Sequence, residues 1–225
     1  MFGKRRKRIK VRKRRTGNRR KMQLYTRVGI VVLVIVCLYF GITKFMNRNQ
    51  YIERVGLGID ETRPEMDVQL LTVNEYSRPG TKTGRIHNIV IHYTANPGST
   101  AMQNRDYFEG LKENHLTKAS SQFVVGIDGE IVQCVPTWEV AYASNNRNGD
   151  TVSIETCHPK EDGKYTKETY HSLVELTAWL CKKFDLNEDD VIRHYDVTGK
   201  ICPKYFVENE GAWKQFKEDV KKQLK

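Results

Sequence analysis

The chain has 225 residues and a formal net charge of +11, room for one folded domain of ordinary size plus some extra sequence. The charge is not spread evenly: residues 1–27 hold 14 Lys and Arg and no Asp or Glu, which leaves 24 basic and 27 acidic side chains in the other 198 residues, a formal charge of −3. A nucleic-acid groove needs basic residues across the folded surface, and the bulk of the chain has no such excess, so no nucleic-acid partner is expected.

Residues 28–43 (VGIVVLVIVCLYFGIT) run for 16 positions without a charge. As a helix they span about 24 Å, short of the roughly 30 Å hydrocarbon core of a bilayer. A snorkelling Lys44 brings Phe45 and Met46 into the apolar stretch, which then covers 19 residues, 28–46. One membrane-spanning helix is expected there. Lys and Arg crowd its N-terminal flank, so the tail 1–27 is expected to stay cytoplasmic and everything after the helix to be exported. A cleavable signal peptide is the competing reading; Gly41-Ile42-Thr43 is a weak imitation of an Ala-x-Ala site, which favours a retained anchor. The basic tail adds attraction to anionic lipid heads.

Residues 47–83 read as a stalk, polar and punctuated by Pro64 and Ser77-Arg78-Pro79-Gly80. Within it, residues 68–73 suit a short edge element packed on the following domain. From residue 84 to 225 the pattern alternates between strands and helices. Residues 86–92 (IHNIVIH) predict a buried strand. Ser99 is a candidate N-cap for a helix reaching about residue 114, with Met102, Tyr107, Phe108 and Leu111 facing inward. Residues 122–135 predict a hairpin turning at Asp128-Gly129. Residues 151–157 predict another strand.

Residues 166–184 give the clearest helix, with Tyr170, Leu173, Val174, Thr177, Leu180, Cys181 and Phe184 on one face. A short strand at 191–194 and a helix over about 209–224, burying Trp213, Phe216, Val220 and Leu224, complete the set. The expected fold is α/β: a central mixed sheet flanked by helices and preceded by one N-terminal transmembrane helix.

Five cysteines occur, at 37, 134, 157, 181 and 202, with no C-x-x-C pair and no spacing that indicates a disulfide framework. Three features carry chemistry: His92 at a strand end, Glu155 inside a strand, and RHYDVTGKICP at 193–203. Alone, each has a bland reading: a packed histidine, an exposed strand carboxylate, an inert thiol. Together, His92, His194 and Cys202 supply two imidazoles and a thiolate, a donor set that suits catalytic zinc with its fourth position open. Asp196 reads as a turn residue or as an outer partner that orients a ligand. Cys157 shares the strand face of Glu155 by period two. His87, His115, His158 and His171 read as surface residues.

The segments IVIHYTANPGST (89–100), VSIETC (152–157) and VIRHYDVTGKICP (191–203) resemble the zinc-dependent N-acetylmuramoyl-L-alanine amidases of phage and autolysin type, related to peptidoglycan-recognition proteins. The resemblance runs over about 84–220. It implies one zinc ion per chain held by His92, His194 and Cys202, with Glu155 and Lys200 at the catalytic positions. It also implies peptidoglycan as substrate and hydrolysis of the bond between N-acetylmuramic acid and L-Ala. The departures from the family's pattern fall at Ser121-Gln122-Phe123 and Ala141-Tyr142-Ala143, which makes Gln122 and Tyr142 candidate substrate contacts. A core-packed Tyr142 remains the alternative. The expected protein is thus a hydrolase of the bacterial cell wall, single-pass in the cell membrane, with a monomeric catalytic domain outside the cytoplasm. A non-catalytic peptidoglycan-binding module on the same fold is the rival reading, and a membrane-tethered nucleic-acid binder is disfavoured by the charge division.

Overall fold

A computed structural model describes residues 62–225, together with Tyr25, Thr26, Ile30, Val34, Val36 and Tyr39. The chain divides into two units, Met1–Glu53 and Arg54–Lys225. In the first, the six described residues are all helical; the remainder of the helix expected over 28–46, and most of the basic tail, lie outside the described residues. Among the described residues no helix is long and apolar enough to cross a membrane.

The second unit is built on a six-stranded mixed sheet. Its strands are β1 (Asp67–Val68), β2 (Asn88–Ile91), β3 (Phe123–Val125), β4 (Ile131–Gln133), β5 (Thr151–Thr156) and β6 (Val191–Arg193), in the order β1-β4-β3-β5-β2-β6. Only the β3–β4 hairpin is antiparallel; β5, β2 and β6 run parallel side by side. Among the described residues of this unit, five α-helices are interleaved with the strands: α1 (Ala101–Asn114), α2 (Lys167–Phe184), α3 (His194–Thr198), α4 (Lys204–Glu208) and α5 (Glu210–Leu224). The hairpin turns where the sequence predicts, with Gly129 at φ +87°, a left-handed conformation that glycine adopts without steric cost.

Period-two alternation divides the strand side chains between two apolar layers. Ile89, Ile91, Phe123, Val125, Val152 and Ile154 join Leu173, Leu176 and Leu180 of α2 and Trp213, Phe216 and Val220 of α5 in the larger core. On the opposite face, Val124, Val132 and Cys157 pack with Leu71 and with Ala101 and Phe108 of α1 in a smaller one. The same alternation puts His92, one residue past the end of β2, and Glu155, near the end of β5, on the α1 face.

Several local expectations shift. The N-cap of α1 is Thr100, whose side chain accepts from Gln103 N; Ser99 instead hydrogen-bonds Asn96 O and Asn104. The inward face of α1 is Ala101, Asn104, Phe108 and Leu111, while Met102 and Tyr107 are exposed. The buried Asn104 takes an inward position that a hydrophobic pattern assigns to an apolar neighbour. In the segment read as a stalk, Gln69 N and Leu71 N bond Gln133 O and Cys134 O beyond β1, and Leu71 is buried, so this stretch belongs to the fold. Arg78 binds Glu139 with two hydrogen bonds and locks the next turn down. His158 is buried rather than on the surface, stacked on Tyr93.

Candidate metal centre and active site

Register explains how residues far apart in sequence meet. Ile91 on β2 pairs with Ile154 on β5 and with Arg193 on β6. One residue further along each chain stand His92, Glu155 and His194. They come off adjacent parallel strands at the carboxyl edge, where open α/β sheets place their ligands. The backbone N–H of His92 still bonds Ile154 O at 2.9 Å, which keeps the rung closed.

His194 does not end a strand: it opens α3, a short helix that takes up the first part of the stretch leading to Cys202. Asp196 builds that helix start. Its carboxylate accepts from Arg193 N at 2.8 Å and from the Arg193 guanidinium, so it acts as a cap for the helix bearing His194 and not as a partner of a ligand ring. Arg193 also reaches Phe206 O and Glu210, tying α3 to α4 and α5. Gly199 ends the helix at φ +77°, and Tyr195 N donates to Cys202 O at 2.8 Å, which turns the chain back on itself. The result is that Cys202 returns to the rung from which it left.

The three candidate ligands are buried, and their donor atoms lie within 4.8 Å of one another. Cys202 Sγ is 3.8 Å from His92 Nδ1, and the two imidazole centroids are 4.6 Å apart. Tetrahedral zinc with ordinary Zn–N and Zn–S lengths sets neighbouring ligand atoms about 3.3–3.6 Å apart, so a small contraction suffices to close the set on an ion. Burial holds the His92 imidazole well below its usual pKa, with His194 and Lys200 adding to the effect; burial and Lys200 also lower that of His194. Both rings are therefore neutral at pH 7, as metal ligation requires. Burial and the nearby Glu155 push the Cys202 thiol up to about 12. A thiol in that position ionises only beside a cation, so metal binding releases its proton. Donor types, spacing and protonation fit a zinc ion.

Glu155 stands beside this cluster on β5. Its Oε2 is buried and has no hydrogen-bond partner, and burial pushes its carboxyl up to about 8, against the pull of Lys200. Lys200 itself is exposed, on the turn after α3, and its charge reaches His92, His194, Glu155 and Cys202 alike.

The two candidate substrate contacts have different settings. The Gln122 amide is buried and committed internally: its oxygen accepts from Ser153 N at 2.9 Å and Ser153 Oγ at 2.7 Å, and its nitrogen donates to Glu139 O. It braces β3 against β5 instead of presenting a free polar group. Tyr142 is half-buried, bonded through its backbone to Ser120, with the Lys118 ammonium 5.6 Å above its ring. Cys157 packs in the smaller core, 3.5 Å from Asn104 Nδ2, and it, Cys134, Cys181 and Cys202 are all free.

Residues missed by the sequence reading line the back of the cluster. Ser144 Oγ lies 3.4 Å from His92 Nε2, and Asn145 Oδ1 lies 2.9 Å from His194 Nε2. Their only signal in the sequence is a polar Ser-Asn-Asn run before a strand, which is indistinguishable from an ordinary loop.

Residues 82–205 match the family described as N-acetylmuramoyl-L-alanine amidase. Over 160 residues the chain is 38% identical to N-acetylmuramoyl-L-alanine amidase CwlL of Bacillus licheniformis, a match covering 66% of this chain and 44% of that protein. Over 175 residues it is 34% identical to N-acetylmuramoyl-L-alanine amidase BlyA of Bacillus subtilis strain 168, covering 68% of this chain and 46% of that one. The chain thus spans about half the length of the curated relatives it matches. The solved structure of PlyL shares the fold with a TM-score of 0.62 at 23% identity, covering 71% of this chain and 99% of PlyL. The catalytic domain of XlyA does so with a TM-score of 0.59 at 24% identity, over 70% of this chain and 99% of that domain. More than half of the chain matches the family, and the chain belongs to the N-acetylmuramoyl-L-alanine amidases.

Proposed function

We propose that this protein is a zinc-dependent peptidoglycan amidase that hydrolyses the amide between N-acetylmuramic acid and the L-Ala of the stem peptide. The observation that carries the reading is the convergence of His92, His194 and Cys202 beside Glu155, whose Oε2 is buried and unpartnered. The bond assignment follows the names of the relatives.

His92, His194 and Cys202 would hold the ion, leaving one position for water or substrate. When bound, zinc supplies Lewis acidity that makes hydroxide available near neutral pH. Glu155 then accepts the proton of the attacking water and returns it to the departing amine. An amide nitrogen is a poor leaving group until protonated, so this second transfer is as necessary as the first. Burial suits Glu155 to the task, because a carboxyl raised toward neutrality holds a proton well enough to deliver it. Beside a metal ion the Glu155 carboxyl, at about 8 in the metal-free fold, would titrate lower and nearer the operating range. Lys200 offers a positive charge to the oxygen that becomes negative in the tetrahedral intermediate, and the half-buried Tyr142 would offer a hydroxyl to the substrate.

The first unit is read as the anchor. Its support is the charge-free run bounded by 14 upstream cations and the helical, exposed Ile30, Val34, Val36 and Tyr39, apolar groups that hydrocarbon would cover. The tail would remain cytoplasmic and the catalytic unit would act on the wall outside a bacterial membrane.

Purified peptidoglycan digested by the full chain and analysed by mass spectrometry tests the reaction. Free stem peptides beginning at L-Ala are expected, abolished by a chelator and restored by zinc. The Glu155→Gln variant is expected to bind zinc and to lose at least about a hundredfold in rate. A protein that retains peptidoglycan binding but releases no peptide with zinc present would be a wall-binding module instead.

A further inference from the structure

We propose that Asn145 is a positioning residue for the metal centre: its amide oxygen takes the Nε2–H of His194 and so reserves Nδ1 of that ring for the ion. The inference rests on the zinc reading above.

A neutral imidazole carries one hydrogen, and whichever nitrogen is tied up as a donor leaves the other with its lone pair free. His194 Nε2 lies 2.9 Å from Asn145 Oδ1, an acceptor. His92 follows the same pattern, with Nδ1 toward Cys202 and Nε2 toward Ser144 Oγ. One short loop therefore meets both rings from behind, at consecutive residues.

Asn145 is itself exposed, so packing does not hold its side chain in place. The loop does. Asn145 sits at φ +53°, a left-handed conformation that asparagine tolerates better than most residues. On one side Asn148 Oδ1 accepts from Ala143 N and Ser144 N, at 3.1 and 2.6 Å. On the other, Arg147 donates to Asp150 and to Asn88 Oδ1 at 2.7 Å, and Thr151 Oγ1 donates to Arg147 O. Asn88 opens β2, which delivers His92, and Thr151 opens β5, which delivers Glu155. The bracing loop is thus tied to the same two strands that place the site.

Glycine at 145 keeps the backbone conformation and removes the acceptor; aspartate keeps an acceptor at the same reach. In the full chain, Asn145→Gly is expected to weaken zinc binding about 10- to 100-fold in chelator competition, while Asn145→Asp stays within about threefold of the unmodified protein. With cobalt in place of zinc, the glycine variant should shift the visible absorption bands and the aspartate variant should keep them. The metal-free protein labelled with nitrogen-15 at histidine should show the hydrogen of His194 on Nε2. Unchanged zinc affinity in Asn145→Gly, equal weakening in both variants, or a hydrogen on Nδ1 of His194 would each overturn the proposal and leave the zinc reading standing. Failure of the unmodified chain to bind zinc would overturn both, and is visible before any variant is made.

Discussion

At the scale of single residues, the site is defined by what burial does to ionisable groups. Glu155 illustrates the sign of the effect. An ordinary glutamate titrates near 4.5, and in the fold burial pushes this one to about 8. Between those values the folded protein keeps a proton that the unfolded chain has released, so metal-free stability falls as pH rises through that window and is unaffected below it. The full shift corresponds to roughly 4 kcal/mol at pH 8. The Glu155→Gln variant has no proton to lose, and the histidine contributions are common to both proteins. The melting temperature of the chelated variant is therefore expected to rise relative to the unmodified protein between pH 5 and pH 8; a constant difference would mean that Glu155 is hydrated. His92, Glu155 and Cys202 could be picked out as candidates because their types and motif neighbours are distinctive. Asn145 could not, because a loop asparagine looks the same whether or not a histidine stands behind it. Gln122 shows the reverse case: the family resemblance makes its position a candidate substrate contact, and in the fold its amide is engaged by Ser153 and Glu139.

Among the elements, strong periodicity was a reliable guide. α2 lies where its apolar face predicts and is N-capped by Thr166, whose hydroxyl accepts from Thr169 N at 3.0 Å and donates to Ile127 O at 2.6 Å. Thr166→Ala removes both bonds at a distance from the candidate ligands. It is expected to cost about 1–2 kcal/mol, read as a lower urea midpoint at unchanged slope, with zinc content unaffected. Short elements behave differently. α3 and α4 have five residues each, too few to show a period. α3 owes its existence to partners beyond it, chiefly Arg193 bridging Asp196, Glu210 and Phe206 O. On α1, Phe108 and Leu111 face inward as the pattern predicts, and Asn104 joins them because Ser99 Oγ and Thr100 O receive its amide, a satisfaction that hydrophobic pattern does not register.

For the whole molecule, charge and hydropathy set a basic and then apolar N-terminal stretch apart from the rest of the chain. The 14 cations before residue 28 and the apolar run after them lead to an expected outcome in fractionation. The full chain should stay with membranes through a carbonate wash, and a chain beginning at residue 47 should appear in the soluble fraction with zinc bound. Recovery of the full chain in the soluble fraction would remove the anchor from the proposed function.

The sequence by itself determined the α/β class, the strand-end position of His92, the long helix and the chemical identity of the donor set, because these depend on side-chain type and on periods that a short window contains. Only the tertiary structure decided which atoms meet. His92 and His194 stand 102 residues apart in the chain, and it is the parallel pairing of β5, β2 and β6 in one register that puts them on a common rung. Strand order is a property of the closed sheet, set by two apolar layers packing at once, and no local stretch of the chain contains that information.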